Sequence, residues 1–227
     1  MRSGLLLLLG AMLCACKADG AAQGGGPKPE LALLTSLPIV FGERFGLDQQ
    51  AQPLLAELEA DYKVTAVDGP EQLRPGGLLL AVQPQALTAE RLVALDKWVR
   101  DGGRIVLLAD PLLRFDSGRP LGDKFRPPLR YPDTGLLAHW GVTLDEGADS
   151  RAEGSATDLG RGIRLASADI GSFTRAGGTC TLAPTRAVAR CRIGNGYATL
   201  VADADLAMSE DPADRKAVLA LLGELRR

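Results

Sequence analysis

The chain has 227 residues, with 26 Lys and Arg against 28 Asp and Glu, and 46% of its residues are hydrophobic. Its net charge of −2 is spread without long runs, so it lacks the basic face that nucleic-acid binding requires. Aromatic residues make up only 4% of the chain, too few for a base-stacking platform or a ring-lined carbohydrate cleft.

The amino terminus is organised like an export signal. The apolar run Leu5 to Leu13 is too short to span a bilayer, because a spanning helix needs roughly 20 apolar residues. The segment Leu13-Cys14-Ala15-Cys16 then resembles the bacterial lipobox, although Cys14 stands where a small non-thiol residue is more usual. This pattern predicts a lipoprotein signal peptide over residues 1–15 and acylation of Cys16. The alternative is an ordinary signal peptide that is cleaved elsewhere.

Residues 16–29 are rich in Gly, Ala, Pro and Lys and predict a flexible tether between the lipid and the folded domain. Acylated Cys16 would hold the protein in membrane lipid, facing the periplasm, and Lys17 slightly favours the outer over the inner membrane. The remaining residues, 30–227, have the length of one domain.

The first part of this domain alternates between strand and helix patterns. Continuous apolar runs such as Gly77 to Val82 are typical of strands that are buried on both faces. Thr88 is placed to cap the second helix. The predicted elements are strand Glu30 to Leu37, helix Asp48 to Asp61, strands Tyr62 to Val67 and Gly77 to Val82, a helix from Thr88 to Gly102, and strand Arg104 to Ala109. This order predicts a three-layer α/β domain with a mostly parallel, flavodoxin-like sheet.

The second part is less regular. The segment Pro111 to Asp133 is rich in Pro and Arg and predicts a long loop, and loops of this length are often functional. A short helix over Thr134 to Trp140, a last helix capped by Ser209 and several short strands follow. The short strands are predicted at Val142 to Leu144, Ile163 to Ala166, Gly171 to Thr174 and Tyr197 to Asp203, and they predict a small β-rich extension of the domain.

This extension is expected to hold Cys180 and Cys191, the two cysteines that remain beyond the lipobox. They flank a hairpin that turns near Thr185-Arg186, which would set them opposite each other. An even pair in an exported protein predicts a disulfide. Two buried thiols or a metal site are the alternatives.

Three segments carry a resemblance to a known family. They are residues 34–43 (LTSLPIVFGE), residues 78–111, which end in GGRIVLLADP, and residues 194–205 (GNGYATLVADAD). They resemble the auxiliary domains of ABC-type transport systems related to the gliding-motility GldG proteins, and the similar DUF4350 domains. The resemblance implies a fold like that of class I glutamine amidotransferases and an extracytoplasmic role beside a transporter permease or another envelope protein. It brings no catalytic residues and no cofactor.

The sequence offers no arrangement for amidotransferase chemistry, which needs a cysteine on a strand-to-helix turn and a histidine beside it. Asp110-Pro111 follows the strand where such a cysteine could lie. The single histidine, His139, is interpreted as a helix-end residue that packs near Trp140. A Gly-x-Ser-x-Gly motif is also missing from the sequence, so we expect a non-catalytic accessory or binding subunit.

Acidic residues are the remaining candidates for a site. Three of them follow predicted strands, and ligands bind at the carboxyl ends of strands in an open parallel sheet. Together they could bind a divalent cation or a small ligand, which would suit a metal-assisted hydrolase or a sensor. The alternative is that each carboxylate caps a turn by accepting main-chain N–H groups. The candidates are Glu43, Asp68, Asp110, Asp203 and Asp205.

Overall fold

The computed structural model of the chain describes residues 26–43, 52–146, 157–165 and 170–226. The α-helices in these ranges are α1 Pro53–Asp61, α2 Ala89–Arg100, α3 Leu136–Trp140 and α4 Pro212–Glu224, and short 3-10 helices lie at Pro70–Gln72 and Asp205–Ala207. The strands are β1 Glu30–Thr35, β2 Lys63–Ala66, β3 Leu78–Val82, β4 Arg104–Leu108, β5 Val142–Asp145, β6 Thr157–Gly160, β7 Ile163–Leu165, β8 Ser172–Arg175, β9 Cys180–Leu182, β10 Val188–Ile193 and β11 Gly196–Val201.

Seven strands form one sheet in the order β2-β1-β3-β4-β11-β10-β9. The first five run parallel to one another, and β10 and β9 continue the sheet in antiparallel fashion. Every residue of β3 is buried, as expected for a strand covered on both faces. The prediction of an α/β domain with a mostly parallel sheet is confirmed.

The cysteine hairpin does not form a separate extension, and that prediction was wrong. The whole length of β10 pairs with β11, from Val188 opposite Val201 to Ile193 opposite Gly196, so the hairpin widens the main sheet. The small separate sheets are instead β5 with β8, and β6 with β7. Strand β6 had no counterpart in the sequence prediction.

The helix boundaries follow local capping. Thr88 caps α2 as predicted, with its hydroxyl oxygen accepting from the Arg91 N–H. The predicted cap of α4 at Ser209 was wrong, because the Asp211 side chain accepts the Ala213 N–H at 2.8 Å and Pro212 opens the helix. The predicted start of the first helix, Asp48, lies outside the described residues.

The parallel strands give the sheet two different ends. At its amino end the parallel strands begin, and the segment before β1 enters there, with the Pro29 carbonyl accepting from the Lys63 N–H. At the carboxyl end of the sheet, the connection that leaves β1 runs to β2 on one side of β1, whereas β3 lies on the other side of β1. This change of direction leaves a crevice between the ends of β1 and β3, where open α/β sheets bind ligands.

The long loop, residues 111–135, packs over the carboxyl end of the sheet without helix or strand of its own. The Tyr131 N–H donates to the Asp110 carbonyl at 2.7 Å, and Leu113 and Leu129 bond to each other across the loop. Within the described ranges, none of the helices combines the length and hydrophobicity needed to cross a bilayer.

Candidate functional site

Three of the five candidate carboxylates meet at the carboxyl end of the sheet. Asp110 follows β4, while Asp203 and Asp205 follow the neighbouring strand β11. One carboxylate oxygen from each lies within 4.8 Å of the others, and Asp110 and Asp203 are almost completely buried. We call Asp110, Asp203 and Asp205 the acidic cluster.

The carboxylates of the acidic cluster also accept hydrogen bonds from main-chain N–H groups around them. The two oxygens of Asp110 accept the Leu112 N–H at 2.8 Å and the Ala204 N–H at 3.0 Å. Asp203 accepts the Leu206 N–H at 3.2 Å. These contacts match the expected capping role, and they join the two chain segments that leave β4 and β11.

Asp205 holds the start of the long loop. Its carboxylate accepts the N–H groups of Arg114 at 2.9 Å and of Phe115 at 3.1 Å. Burial, and then the nearby charge of Asp110, raise the pKa of Asp205 to about 6. Burial also raises the pKa of Asp110 above its ordinary value. Carboxylate oxygens this close could hold a hard divalent cation, which would compete with protons and main-chain donors for the same oxygens.

Glu43 and Asp68 do not join the acidic cluster. Glu43 accepts hydrogen bonds from the Ser117 hydroxyl and from the Gly118 N–H, the latter at 2.7 Å. Asp68 is exposed at the end of β2. Both line the crevice described next, so the five candidates fall into two separate groups.

The crevice is an open cleft of about 850 Å³ beside the ends of β1 and β3. Its apolar floor includes Leu34, Ile39 and Pro84. Phe41, from the segment after β1, and Phe125, from the long loop, lie on its rim with 78% and 60% of their surface exposed. We call this region the carboxyl cleft.

The cations of the carboxyl cleft are only partly neutralised. Arg91 is paired with Glu71 at 2.5 Å. Arg119 reaches Asp123 at 3.7 Å and donates to the Glu43 carbonyl. Lys124 lies 4.7 Å from the centre of the Phe125 ring, a cation–π contact that keeps a positive charge beside an exposed apolar surface.

Gln83 is a site residue that the sequence analysis missed. It directly follows β3, is completely buried and has a φ of 40°, in the left-handed region that non-glycine residues rarely adopt. Its side-chain amide donates to the carbonyls of Asp110 and Pro128 and accepts the Asp110 N–H at 2.8 Å. The available signal was a polar residue placed between a wholly apolar strand and a proline.

Cys180, Cys191 and His139 lie away from the acidic cluster. Cys180 and Cys191 form a disulfide between opposed positions of β9 and β10, which confirms the predicted pairing. His139 is more than half exposed and lies 2.9 Å from an Arg100 nitrogen, at the other end of the sheet. Cys16, the predicted acylation site, lies outside the described residues.

Several solved structures share this fold at low sequence identity. The N-terminal domain of mmIFT52 is 13% identical with a TM-score of 0.53, and the match covers 86% of this chain and 96% of that one. A cytoplasmic protein from Salmonella typhimurium LT2 is 7% identical with a TM-score of 0.50 over 86% and 99% of the two chains. A catalytic mutant of Gan42B, a GH42 beta-galactosidase from G. stearothermophilus, is 18% identical with a TM-score of 0.50.

The beta-galactosidase match covers 89% of this chain but only 31% of the enzyme. The chain thus spans about a third of the glycosidases that it matches, including the exo-beta-1,4-mannosidase of an Opitutaceae bacterium, of which it covers 35%. The matches to the mmIFT52 domain, the Salmonella protein and the Gan42B mutant show the fold alone. Among curated protein sequences, none matches this chain.

The sequence itself identifies the family. Residues 49–221 match the family model described as "Domain of unknown function (DUF4350)". This range includes β2 to β11, the long loop, the acidic cluster and most of α4. The chain belongs to the DUF4350 family.

Proposed function

We propose that this protein is a lipid-anchored, extracytoplasmic accessory subunit that binds a component of an ABC-type transport system and performs no chemistry itself. The observation that carries the proposal is the carboxyl cleft, an open concave surface with two exposed phenylalanines at the topological crevice of the sheet. Aromatic side chains and arginines are enriched where proteins bind one another. The transporter as partner rests on the GldG-like resemblance.

The turns after β4 and β3 support a non-catalytic role. After β4, where an amidotransferase-like nucleophile could lie, the chain carries Asp110, and the turn after β3 carries Gln83. The side-chain amide of Gln83 is consumed by main-chain groups of Asp110 and Pro128, so it is not available to a substrate. Through these hydrogen bonds, Gln83 fixes the long loop on the sheet.

We also propose that the sheet is a variant of the flavodoxin-like sheet, because its parallel strands follow the order β2-β1-β3-β4-β11.

The geometry of the tether supports an outward-facing cleft. Residues 16–29 span 14 positions, which reach at most about 50 Å when fully extended. The described part of this segment, residues 26–29, joins β1 at the amino end of the sheet, whereas the carboxyl cleft lies at the opposite end. A tether attached at the amino end therefore leaves the carboxyl cleft free to face away from the membrane, where a partner protein can reach it.

Purification of the tagged lipoprotein from membranes tests the partner. We expect permease or ATPase subunits to copurify with the wild type and with Val93→Ser, which removes an equally exposed apolar side chain from α2. The double variant Phe41→Ser/Phe125→Ser should lose them. Repeated purification without any transporter subunit would refute the transporter partner, and an unaffected double variant would refute the cleft as its surface.

Fractionation tests the anchor separately. Cys16→Ser should release the protein from membranes and remove the acyl mass from its amino terminus. Unchanged acylation and fractionation in this variant would refute the lipid anchor. Separation of inner from outer membranes then tests the outer-membrane assignment.

A second candidate function is a metal-assisted hydrolase or a small-ligand sensor. The short distances between the carboxylates of the acidic cluster favour it. Because Glu43 lies apart, Asp110, Asp203 and Asp205 would have to supply the ligands. Bound metal in purified protein, and a rise in unfolding temperature with divalent cations that Asp110→Ala abolishes, would support the enzyme. Stabilisation by a small molecule without turnover would support the sensor.

A further inference from the structure

A second concave surface lies far from the carboxyl cleft. It is a groove of about 520 Å³ along the face of β9, β10 and β11, beside the carboxyl end of α4. Three arginines line it, Arg161, Arg190 and Arg192, against one carboxylate, that of Glu224. We call it the arginine groove.

The single carboxylate of the arginine groove, that of Glu224, is already paired with an arginine. The Arg190 Nε and Nη2 atoms bond to the two oxygens of Glu224 at 2.7 and 2.9 Å, and its Nη1 donates to the Leu159 carbonyl. Both side chains of this bidentate pair are mostly buried. Arg161 reaches the same carboxylate only at 3.4 Å, with a largely exposed side chain. The groove therefore keeps an excess of positive charge.

Arg192 provides a positive charge in the arginine groove that is accessible from solvent. Its side chain is exposed, and over residues 157–165 and 170–226 no carboxylate is within ion-pair distance of it. Its cross-strand neighbour in the register is Tyr197, while Thr181 and Thr199 stand opposite Arg190. Thr199 is buried, so the accessible donors are the Arg192 guanidinium and the exposed hydroxyls of Thr181 and Tyr197, groups that suit the oxygens of a phosphate.

The accessible part of the arginine groove lies at the amino end of the sheet. Tyr197 is paired with Arg104 at the start of β4, and the turn before β11 bonds through the Asn195 N–H to the Arg100 carbonyl. The tether enters the domain at this same end, next to β2. Lys28, just before β1, is exposed there as well.

We propose that the arginine groove binds the phosphate headgroup of an anionic phospholipid in the membrane that carries the tether. This inference rests on the proposed lipid anchor. The anchor would hold the domain within about 50 Å of the bilayer, so the groove meets headgroups at a high effective concentration and a weak affinity suffices. Headgroup contact would fix the amino end of the sheet on the membrane and leave the carboxyl cleft facing outward.

Cosedimentation of the mature chain, residues 16–227, carrying Cys16→Ser tests the groove without the acyl group and without the apolar signal peptide. The probes are vesicles of phosphatidylcholine alone and vesicles of equimolar phosphatidylcholine and phosphatidylglycerol. We expect binding to the anionic vesicles above the phosphatidylcholine baseline. Arg192→Glu should weaken it about tenfold, because each cation near an anionic surface adds measurably to the affinity.

The matched control is Arg186→Glu, which makes the same charge change in the turn between β9 and β10, at the carboxyl end of the sheet. We expect less than about a twofold effect there. Equal losses in both variants, or equal binding to both kinds of vesicle, would overturn the proposal. Inorganic phosphate that blocks vesicle binding at micromolar concentration would overturn the lipid assignment in favour of a soluble phosphate.

These outcomes are independent of the transporter and anchor tests. A purification that yields no transporter subunits would refute the transporter partner but would not change the expected result of the vesicle assay. Absence of an acyl group on the wild type would refute the anchor, whereas the vesicle assay reports the groove alone.

Discussion

At the scale of single residues, Asp205 couples the carboxyl end of the sheet to pH. Its pKa is raised from the ordinary 3.8 to about 6, chiefly by burial. The folded chain therefore retains this proton at pH values where the unfolded chain has lost it. The stabilisation linked to the protonated group is complete below the unfolded pKa and is lost as the pH rises through about 6.

Asp205→Asn tests this linkage, because asparagine does not titrate. Relative to the variant, the wild type should lose about 1–3 kcal/mol of unfolding free energy between acidic and neutral pH. Urea unfolding at a series of pH values measures the difference. A wild type and variant that change in parallel would show that Asp205 is not the responsible group.

Gln83 shows how one side chain can hold a loop. Gln83→Ala would leave main-chain groups of Asp110 and Pro128 buried without their present partner, so we expect a loss of about 2–4 kcal/mol. The control is Gln85→Ala, which removes one exposed hydrogen bond, to the Arg126 carbonyl, and should change stability by less than about 0.5 kcal/mol. Urea midpoints measure both, and equal effects would contradict the role given to Gln83.

At the scale of elements, the disulfide fastens the outer hairpin of the sheet. It joins residues 11 positions apart on β9 and β10. Because the closed loop is short, reduction should lower the unfolding free energy by about 2–3 kcal/mol. Urea unfolding with and without reductant measures this loss, and the double variant Cys180→Ala/Cys191→Ala should show no further effect of reductant. A wild type that is insensitive to reductant would contradict the prediction.

The hairpin of β10 and β11 also depends on a close approach to the end of α2. A Cβ atom on Gly196 would lie 2.0 Å from the Val99 carbonyl oxygen and 2.2 Å from that of Gly103. Gly196→Ala should therefore cost at least about 2 kcal/mol, since the backbone must shift. Gly223→Ala, in α4 with open space around it, should stabilise by about 0.5–1 kcal/mol. Thermal unfolding of the pair checks this, and effects of the same sign would contradict it.

At the scale of the whole molecule, exposed apolar side chains are concentrated at one end. Phe41, Leu112, Leu121, Phe125 and Leu129 all lie at the carboxyl end of the sheet. Because their surface is not buried within the domain, Phe41→Ser/Phe125→Ser should change the unfolding free energy by less than about 0.5 kcal/mol. Chemical denaturation checks this, and a loss above 2 kcal/mol would mean that the two rings belong to the core.

Much of the fold could be predicted from the sequence because its signals are local. Runs such as Leu78 to Val82 are too apolar for any position except a sheet covered on both faces. The Thr88 cap and the opposed cysteines follow from spacing alone. The cap of α4 was misassigned because Ser209 and Asp211 carry the same local signal, and Pro212 favours the latter.

The site was harder to predict because its members are distant in sequence. The acidic cluster forms because β4 and β11 are neighbours in the sheet, although some 90 residues of chain separate them. That Glu43 and Asp68 lie apart follows from the change of direction between β1 and β3. Phe41 and Phe125 carry no sequence signal, since the loop sequence around them has no period that separates a buried face from an exposed one.

The sequence by itself determined the alternation of strands and helices, the parallel character of the central strands and the opposition of the two cysteines, because hydrophobic period and spacing act over short distances. Only the tertiary structure decided which strand ends are neighbours, and hence which carboxylates meet, where the carboxyl cleft opens and that the cysteine hairpin extends the main sheet. The physical reason is that strand order is set by packing between segments that are remote in the chain.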